Sequence, residues 1–191
     1  SIPVSLADLL TGLQEDLVIL VRDAGAHAAS ARAAYVDVCF PSGWCPDCAV
    51  GRDFLSLHGP VPTTGQFGAT ARSHYANALF GEGIRVRYVW TVTPDDRLDR
   101  RSCHRDPPHA PPVMSDWATA DTVYLRVERQ VIVPIDALTS AFLIRIHQHP
   151  ASELTDTQRD TVVQALQSMP EAVATYKGLE QYRTRIVALL S

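Results

Sequence analysis

Hydrophobic positions along the chain follow two rhythms. Over residues 5–22, Leu6, Leu9, Leu10, Leu13, Leu17 and Leu20 recur at helical spacing and predict an N-terminal helix. Residues 34–40 (AYVDVCF) read as a strand that stops at Pro41-Ser42-Gly43. Residues 53–58 (DFLSLH) read as a second strand, with Phe54, Ser56 and His58 alternating against Leu55 and Leu57 before Gly59-Pro60-Val61-Pro62. A helix is expected over 66–80, closed by Gly81-Glu82-Gly83. Alternation is strongest over 84–92, where Ile84, Val86, Tyr88, Trp90 and Val92 share a face. Residues 122–133 and 139–147 read as a hairpin turning at Pro134–Leu138. Helices follow at 155–168, capped by Thr155 or Asp156, at 170–176, opening on Pro170, and at 178–190. Residues 94–120 are rich in Pro, Asp and Arg and read as a long irregular loop. Grouped strands with hairpin links imply an antiparallel sheet of about five strands, flanked by N- and C-terminal helices. The fold class expected is α+β, as one domain over 1–191.

Composition narrows the function classes. The 191 residues are 46% hydrophobic and 20% charged, with a net charge of -4. That is too apolar for a disordered chain and sufficient for a core. Mild acidity with scattered Lys and Arg argues against a nucleic-acid partner, and no apolar run reaches the ~18 residues of a membrane span. No secretory leader is visible, so a cytoplasmic location with reduced thiols is the expectation. Seven histidines and four cysteines remain as candidate chemistry. Cys45-Pro46-Asp47-Cys48 has CxxC spacing, but a zinc site normally needs a second such pair, and Pro46 and Gly51 suit a loop better than a thioredoxin-like helix start. Incidental thiols, a local disulfide or redox pair, and a metal site all stay open.

The strand 122–133 carries the sharpest signal. One face, Tyr124, Arg126, Glu128 and Gln130, is wholly polar; the other, Leu125, Val127, Arg129 and Val131, is mostly apolar. The polar face either meets water, with Arg126 and Glu128 as a weak ion pair, or lines a pocket. His58 precedes a rigid proline turn, which suits a ligand of fixed direction but equally a structural histidine. His147 and His149 share a strand face with Arg145 and form a possible metal half-site. His74 sits in the expected helix 66–80, and His27, His104 and His109 fall in loops. Nucleotide-binding glycine patterns and a serine-nucleophile elbow are absent from the sequence.

Six blocks of the chain resemble, in order, those of the heme-dependent oxidative N-demethylase family. They are Gln14-Glu15-Asp16-Leu17, Cys39-Phe40-Pro41-Ser42-Gly43-Trp44, Leu57-His58-Gly59-Pro60-Val61-Pro62, Leu125-Arg126-Val127-Glu128-Arg129-Gln130, Phe142-Leu143-Ile144-Arg145 and Tyr176-Lys177-Gly178-Leu179. The resemblance implies a PAS-like antiparallel sheet cradling one heme b. It implies oxidation of a small amine with O₂, electrons arriving from a reductase partner. It makes His58 the candidate axial ligand, with His74, His147 and His149 as alternatives. Arg126 becomes a partner for a heme propionate or for Glu128, and Glu128 a group to hold an ammonium substrate or relay protons. The polar face then reads as pocket. The chain departs from the family at Cys45 and Cys48, at Ile146-His147-Gln148-His149, and at Val89 where the family has Asn, which leaves the substrate open and allows a specialised biosynthetic oxidation.

Three readings follow. The first is a heme-dependent monooxygenase or oxidase acting on an amine or related small molecule. The second is a non-catalytic heme-binding PAS-like sensor module. The third is a non-heme metal enzyme built on His147 and His149 with the Cys45/Cys48 pair.

Overall fold

The computed structural model describes residues 12–26, 30–58, 61–62, 77–102, 117 and 121–191. Five strands form one open sheet: β1 (Asp16–Val21), β2 (Arg32–Asp37), β3 (Arg85–Thr93), β4 (Tyr124–Pro134) and β5 (Thr139–Pro150). All neighbours are antiparallel, in the order β2-β1-β5-β4-β3. A short helix, α1 (Phe54–His58), lies between β2 and β3. Helices α2 (Asp156–Gln167), α3 (Glu171–Tyr176) and α4 (Arg183–Leu190) follow the sheet. The architecture is α+β, as expected.

Alternation assigns each strand residue to a face. Opposite Arg126 lie Thr91 on β3 and Gln148 on β5, and opposite Glu128 lie Val89 and Ile146. Ile144, two residues further on, pairs with Asp16 of β1. These residues form the first face. Val127, His147 and Trp90 pair across the same strands and belong to the second. The helical layer packs on the second face: Trp90, Val92 and Leu125 meet Val162, Leu166, Ala174, Leu179, Ile186 and Leu190, with Trp117 fully enclosed among them. On the first face, Val18, Leu20, Ala33 and Ile132 bury against Leu79, with Phe142, Trp44 and Leu57 packed around them. Ser140, on the same face, donates to the Leu79 carbonyl, which ties the segment before β3 to β5.

The C-terminal helices match their expected places. Thr155 accepts from the Gln158 amide, and the Gln158 side chain returns the bond to the Thr155 amide, a reciprocal cap. Pro170 stands at the N-cap of α3. The last helix begins later than expected, at Arg183, after one tighter turn over Glu180–Tyr182.

Three expectations are corrected. Residues 16–21 are a strand, not the end of a helix. Leu17, Val18 and Leu20 are all buried although they point to opposite faces, so the apolar run is continuous and mimics a helix. Residues 54–58 are a helix, not a strand. Asp53 sets it: its carboxylate accepts from the Ser56 amide at 2.9 Å and the Ser56 hydroxyl at 2.7 Å. β2 runs from Arg32 to Asp37, so Cys39 and Phe40 lie beyond it. Most of the expected helix 66–80 lies outside the described residues, which are helical over 77–80. Of the expected loop over 94–120, the described residues are 94–102 and 117; Arg100 bridges to Ser42 and residue 117 is helical.

Candidate functional site

The first face carries a polar cluster centred on Arg126. This guanidinium is 1% exposed. Its Nε donates to Ser42 Oγ at 2.9 Å, one terminal nitrogen to the Phe40 carbonyl at 2.8 Å, and the other to Gln148 Oε1 at 3.4 Å. Burial pushes its pKa down to about 10, partly opposed by the charge of Glu128 and reinforced by Arg100, so it stays protonated at neutral pH.

Residues 38–45 form a strap across this face. Asp16 on β1 holds its near end, accepting from the Cys39 amide at 2.8 Å and the Phe40 amide at 3.1 Å. Burial pushes the Asp16 carboxyl up, against those two hydrogen bonds. The strap then pairs with residues 100–102. Arg100 N donates to the Pro41 carbonyl, Gly43 N to the Arg100 carbonyl, and Ser102 N to the Trp44 carbonyl. Gly43 takes φ +87, a left-handed backbone that favours glycine. Arg101 donates to the Val38 and Cys39 carbonyls. Gln148 completes the frame from β5, with Nε2 donating to the Asp95 carbonyl at 2.7 Å. Asp95 ion-pairs with Arg97 and Arg100. Burial alone would raise its carboxyl, but the Arg97 hydrogen bonds and the Arg100 charge pull it below the ordinary range.

Beside Arg126, a second polar row runs along the same face. Arg87 donates to Gln130 Oε1, and Gln130 Nε2 donates to Glu128 Oε2 at 2.7 Å. Gln130 is buried, whereas Glu128 is half-buried. Arg126 therefore gives its donors to the strap and Gln148, while Glu128 is held by Gln130; no ion pair joins the two among the described residues. Tyr176 and Lys177 feel the charge of Glu128 from the end of α3. Burial around its hydroxyl raises Tyr176, although the residue as a whole is 46% exposed, and the Glu128 charge adds to the rise. Burial lowers Lys177, and Glu128 opposes that shift. Lys177 Nζ donates to the Trp90 carbonyl at 2.7 Å, pinning β3 to the helical layer.

His58 is the last residue of α1 and is half-buried. Leu57 beside it packs on the first-face cluster, so α1 carries His58 on the same side of the sheet as Arg126. His74 lies outside the described residues. His147 and His149 sit on the second face, opposite Val127 and Leu125. β5 runs to Pro150, so both histidines lie in the strand, and His149 Nδ1 stands 3.9 Å from the Glu153 carboxylate. Cys45, by contrast, ends the strap on the first face. The non-heme set of His147, His149, Cys45 and Cys48 is thus divided between the two sides of the sheet, and among the described residues no three potential metal ligands converge.

Asp16, Ser42 and Gln148 are site residues that strand-by-strand reading passes over. The signal for Gln148 is parity: in His147-Gln148-His149 it is the middle residue that shares a face with Arg126. Asp16 is the polar residue opening an otherwise apolar run.

Buried, doubly anchored charge lines one face of an open sheet, with an apolar floor and a histidine-bearing helix on that same face. The family model for haem-dependent oxidative N-demethylase, alpha subunit-like, matches residues 5–187, and the chain belongs to that family.

Proposed function

We propose that this chain is a heme-binding oxidoreductase that uses O₂ to oxidise an amine or related small molecule, with a reductase partner supplying electrons. The family's description supports the heme-dependent and oxidoreductase parts of this reading, and its alpha-subunit label supports an assembly with a further subunit. The observation that carries the residue roles is Arg126: a charged guanidinium, 1% exposed, aimed along the first face beside Glu128 and Gln130. Burying such a group costs several kcal/mol, on the order of the penalty for any desolvated ion, which its hydrogen bonds to Ser42, Phe40 and Gln148 offset.

The residues fit the group. A porphyrin supplies four nitrogens and asks one side chain of the protein, so a single imidazole suffices. His58 would hold the iron, and the aliphatic and aromatic side chains of Leu57, Trp44 and Phe142 offer an apolar wall. Arg126 spends three donor contacts on the strap and Gln148, and a guanidinium has five N–H bonds; at 1% exposure, its remaining N–H bonds would meet a carboxylate such as a propionate only with the strap displaced. When bound, heme supplies an iron centre at which O₂ is activated. Glu128, half-buried with one oxygen already fixed by Gln130, would orient an ammonium group through the other or accept its proton. The strap tethers the Arg126 donors, and the Arg87–Gln130 pair tethers the Glu128 acceptor. The open antiparallel sheet with loops and a short helix on one face is compatible with a PAS-like arrangement, and the helical layer on the opposite face with support.

Among the described residues no helix is long and apolar enough to cross a membrane. The deciding experiment is an absorption spectrum of the purified chain after heme reconstitution, with and without dithionite and CO. A Soret band that shifts or vanishes in His58→Ala is the expected result. A chain that takes up no heme sinks the reading, and a band unchanged in His58→Ala moves the ligand elsewhere. Substrate-dependent O₂ consumption with a supplied reductant separates the enzyme from a heme-binding sensor.

A further inference from the structure

The Cys45-Pro46-Asp47-Cys48 turn has no part in the chemistry above, yet its geometry is specific. The backbone reverses there: Ala49 N donates to the Pro46 carbonyl at 2.9 Å, Arg52 N to the Ala49 carbonyl at 3.1 Å, and Gly51 N to the Ala33 carbonyl of β2 at 2.8 Å. The turn is therefore fastened at its far end to the sheet. Cys45 is 6% exposed, whereas Cys48 is exposed. The three-residue spacing and the pinned turn keep the two side chains close enough to interact. A bond between them asks only that the sulfurs reach ~2.05 Å within one reversed stretch of backbone. A metal is a poorer account of the pair, because among the described residues no third ligand joins it.

We propose that Cys45 and Cys48 are a thiol–disulfide modification site, in which a low-molecular-weight disulfide of the glutathione class oxidises the pair to a Cys45–Cys48 bond. The exposed Cys48 is the entry sulfur. Its thiolate attacks one sulfur of the oxidant, forming a mixed disulfide and expelling one small thiol. Cys45 then loses its proton, attacks the Cys48 sulfur and expels the second small thiol. Two protein thiols lose two electrons and two protons, and the oxidant's disulfide is reduced to two thiols. Contact with Cys45, first, and local desolvation hold the Cys48 thiol above its ordinary range. The bond closes at the end of the strap whose Ser42 and Phe40 hold Arg126, and whose Trp44 carbonyl accepts from Ser102, so it stiffens that strap at its exit. The proposal stands independently of heme.

The test uses the full chain, reduced, freed of reductant, and incubated at pH 8 with oxidised glutathione before alkylation, intact mass measurement and peptide mapping. The expected result is a peptide spanning 45–48 that lacks two hydrogens and resists alkylation at both positions, restored by dithiothreitol. Cys45→Ser should arrest as a stable glutathione adduct on Cys48, because its resolving thiol is gone. Cys48→Ser should carry neither bond nor adduct at Cys45, and Cys39→Ser should behave as the wild type. Full alkylation of Cys45 and Cys48 after treatment, or bonding of either to Cys39 or Cys103 instead, overturns the proposal. If Cys45→Ser fails to fold, the wild-type map with Cys48→Ser still decides it.

Discussion

Replacing Arg126 by Ala tests whether the polar cluster holds the first face together. The side chain is 1% exposed and donates to Ser42 Oγ, the Phe40 carbonyl and Gln148 Oε1. Removing it leaves buried acceptors without donors, each costing about 1–3 kcal/mol. It also removes the positive charge that lowers the Asp16 carboxyl. The truncation returns the desolvation cost of the guanidinium itself, so the individual losses do not simply add. Three acceptors at about 1–3 kcal/mol each, less the desolvation returned, put the net at about 3–5 kcal/mol. For a chain of this size, 1 kcal/mol moves the melting temperature by roughly 2–4 °C, so the expected fall is about 6–20 °C. Urea unfolding followed by circular dichroism gives the same quantity at 25 °C. Arg126→Lys keeps the charge without the planar fork and should recover only part of the loss. A cycle with Gln148→Ala should show a coupling of about 0.5–3 kcal/mol, since the two side chains share a bond. A loss below about 1 kcal/mol in Arg126→Ala, the range of a surface ion pair, refutes the reasoning.

Other outcomes are equally specific. Asp95 has a depressed folded pKa, so its contribution to stability is present above the unfolded value of 3.8 and is lost as pH falls through the lower folded one; Asp95→Asn should flatten the acid limb of a stability–pH curve, and an unchanged limb counts against the Arg97–Asp95–Arg100 arrangement. Asp16 has the opposite sign: its raised folded pKa makes its contribution largest below 3.8 and smaller as pH rises through the folded value, so Asp16→Asn should lose least, relative to wild type, near neutrality. Thr155→Ala removes the reciprocal cap of α2 and should cost about 1 kcal/mol in urea unfolding; no change in midpoint would show the cap to be idle. Lys177→Met breaks the bond to the Trp90 carbonyl and should cost about 1–3 kcal/mol, read by the same assay, with β3 amides exchanging faster.

Sequence reading recovers the strands whose two faces differ and misses those whose faces are alike. β3, β4 and β5 alternate, and their hairpin follows from Pro134–Leu138. β1 is apolar and buried on both faces, and its leucines happen to continue a helical spacing; the β-branched Val18, Ile19 and Val21 are the counter-signal. Helix α1 is only five residues long, too short for period to discriminate, and the readable cue is Asp53 three residues before Ser56. For the site, Arg126 and Glu128 lie side by side on the polar face, as alternation requires. The strap is invisible to periodicity, because its anchors join β1, β4 and β5 at separations such as Arg126 to Ser42 that only the sheet order brings together.

The strap also has a kinetic meaning. Asp16 takes hold of two of its N–H groups, and Arg126 takes hold of one of its carbonyls and a hydroxyl, so opposite charges on different strands grip the same few peptides. Lifting either end strands a buried ion, so partial opening is nearly as unfavourable as complete opening. The amides of Cys39 and Phe40, although they lie outside any strand and beside exposed side chains, should therefore exchange with solvent as slowly as the interior of the sheet, and only through the opening of the whole first face.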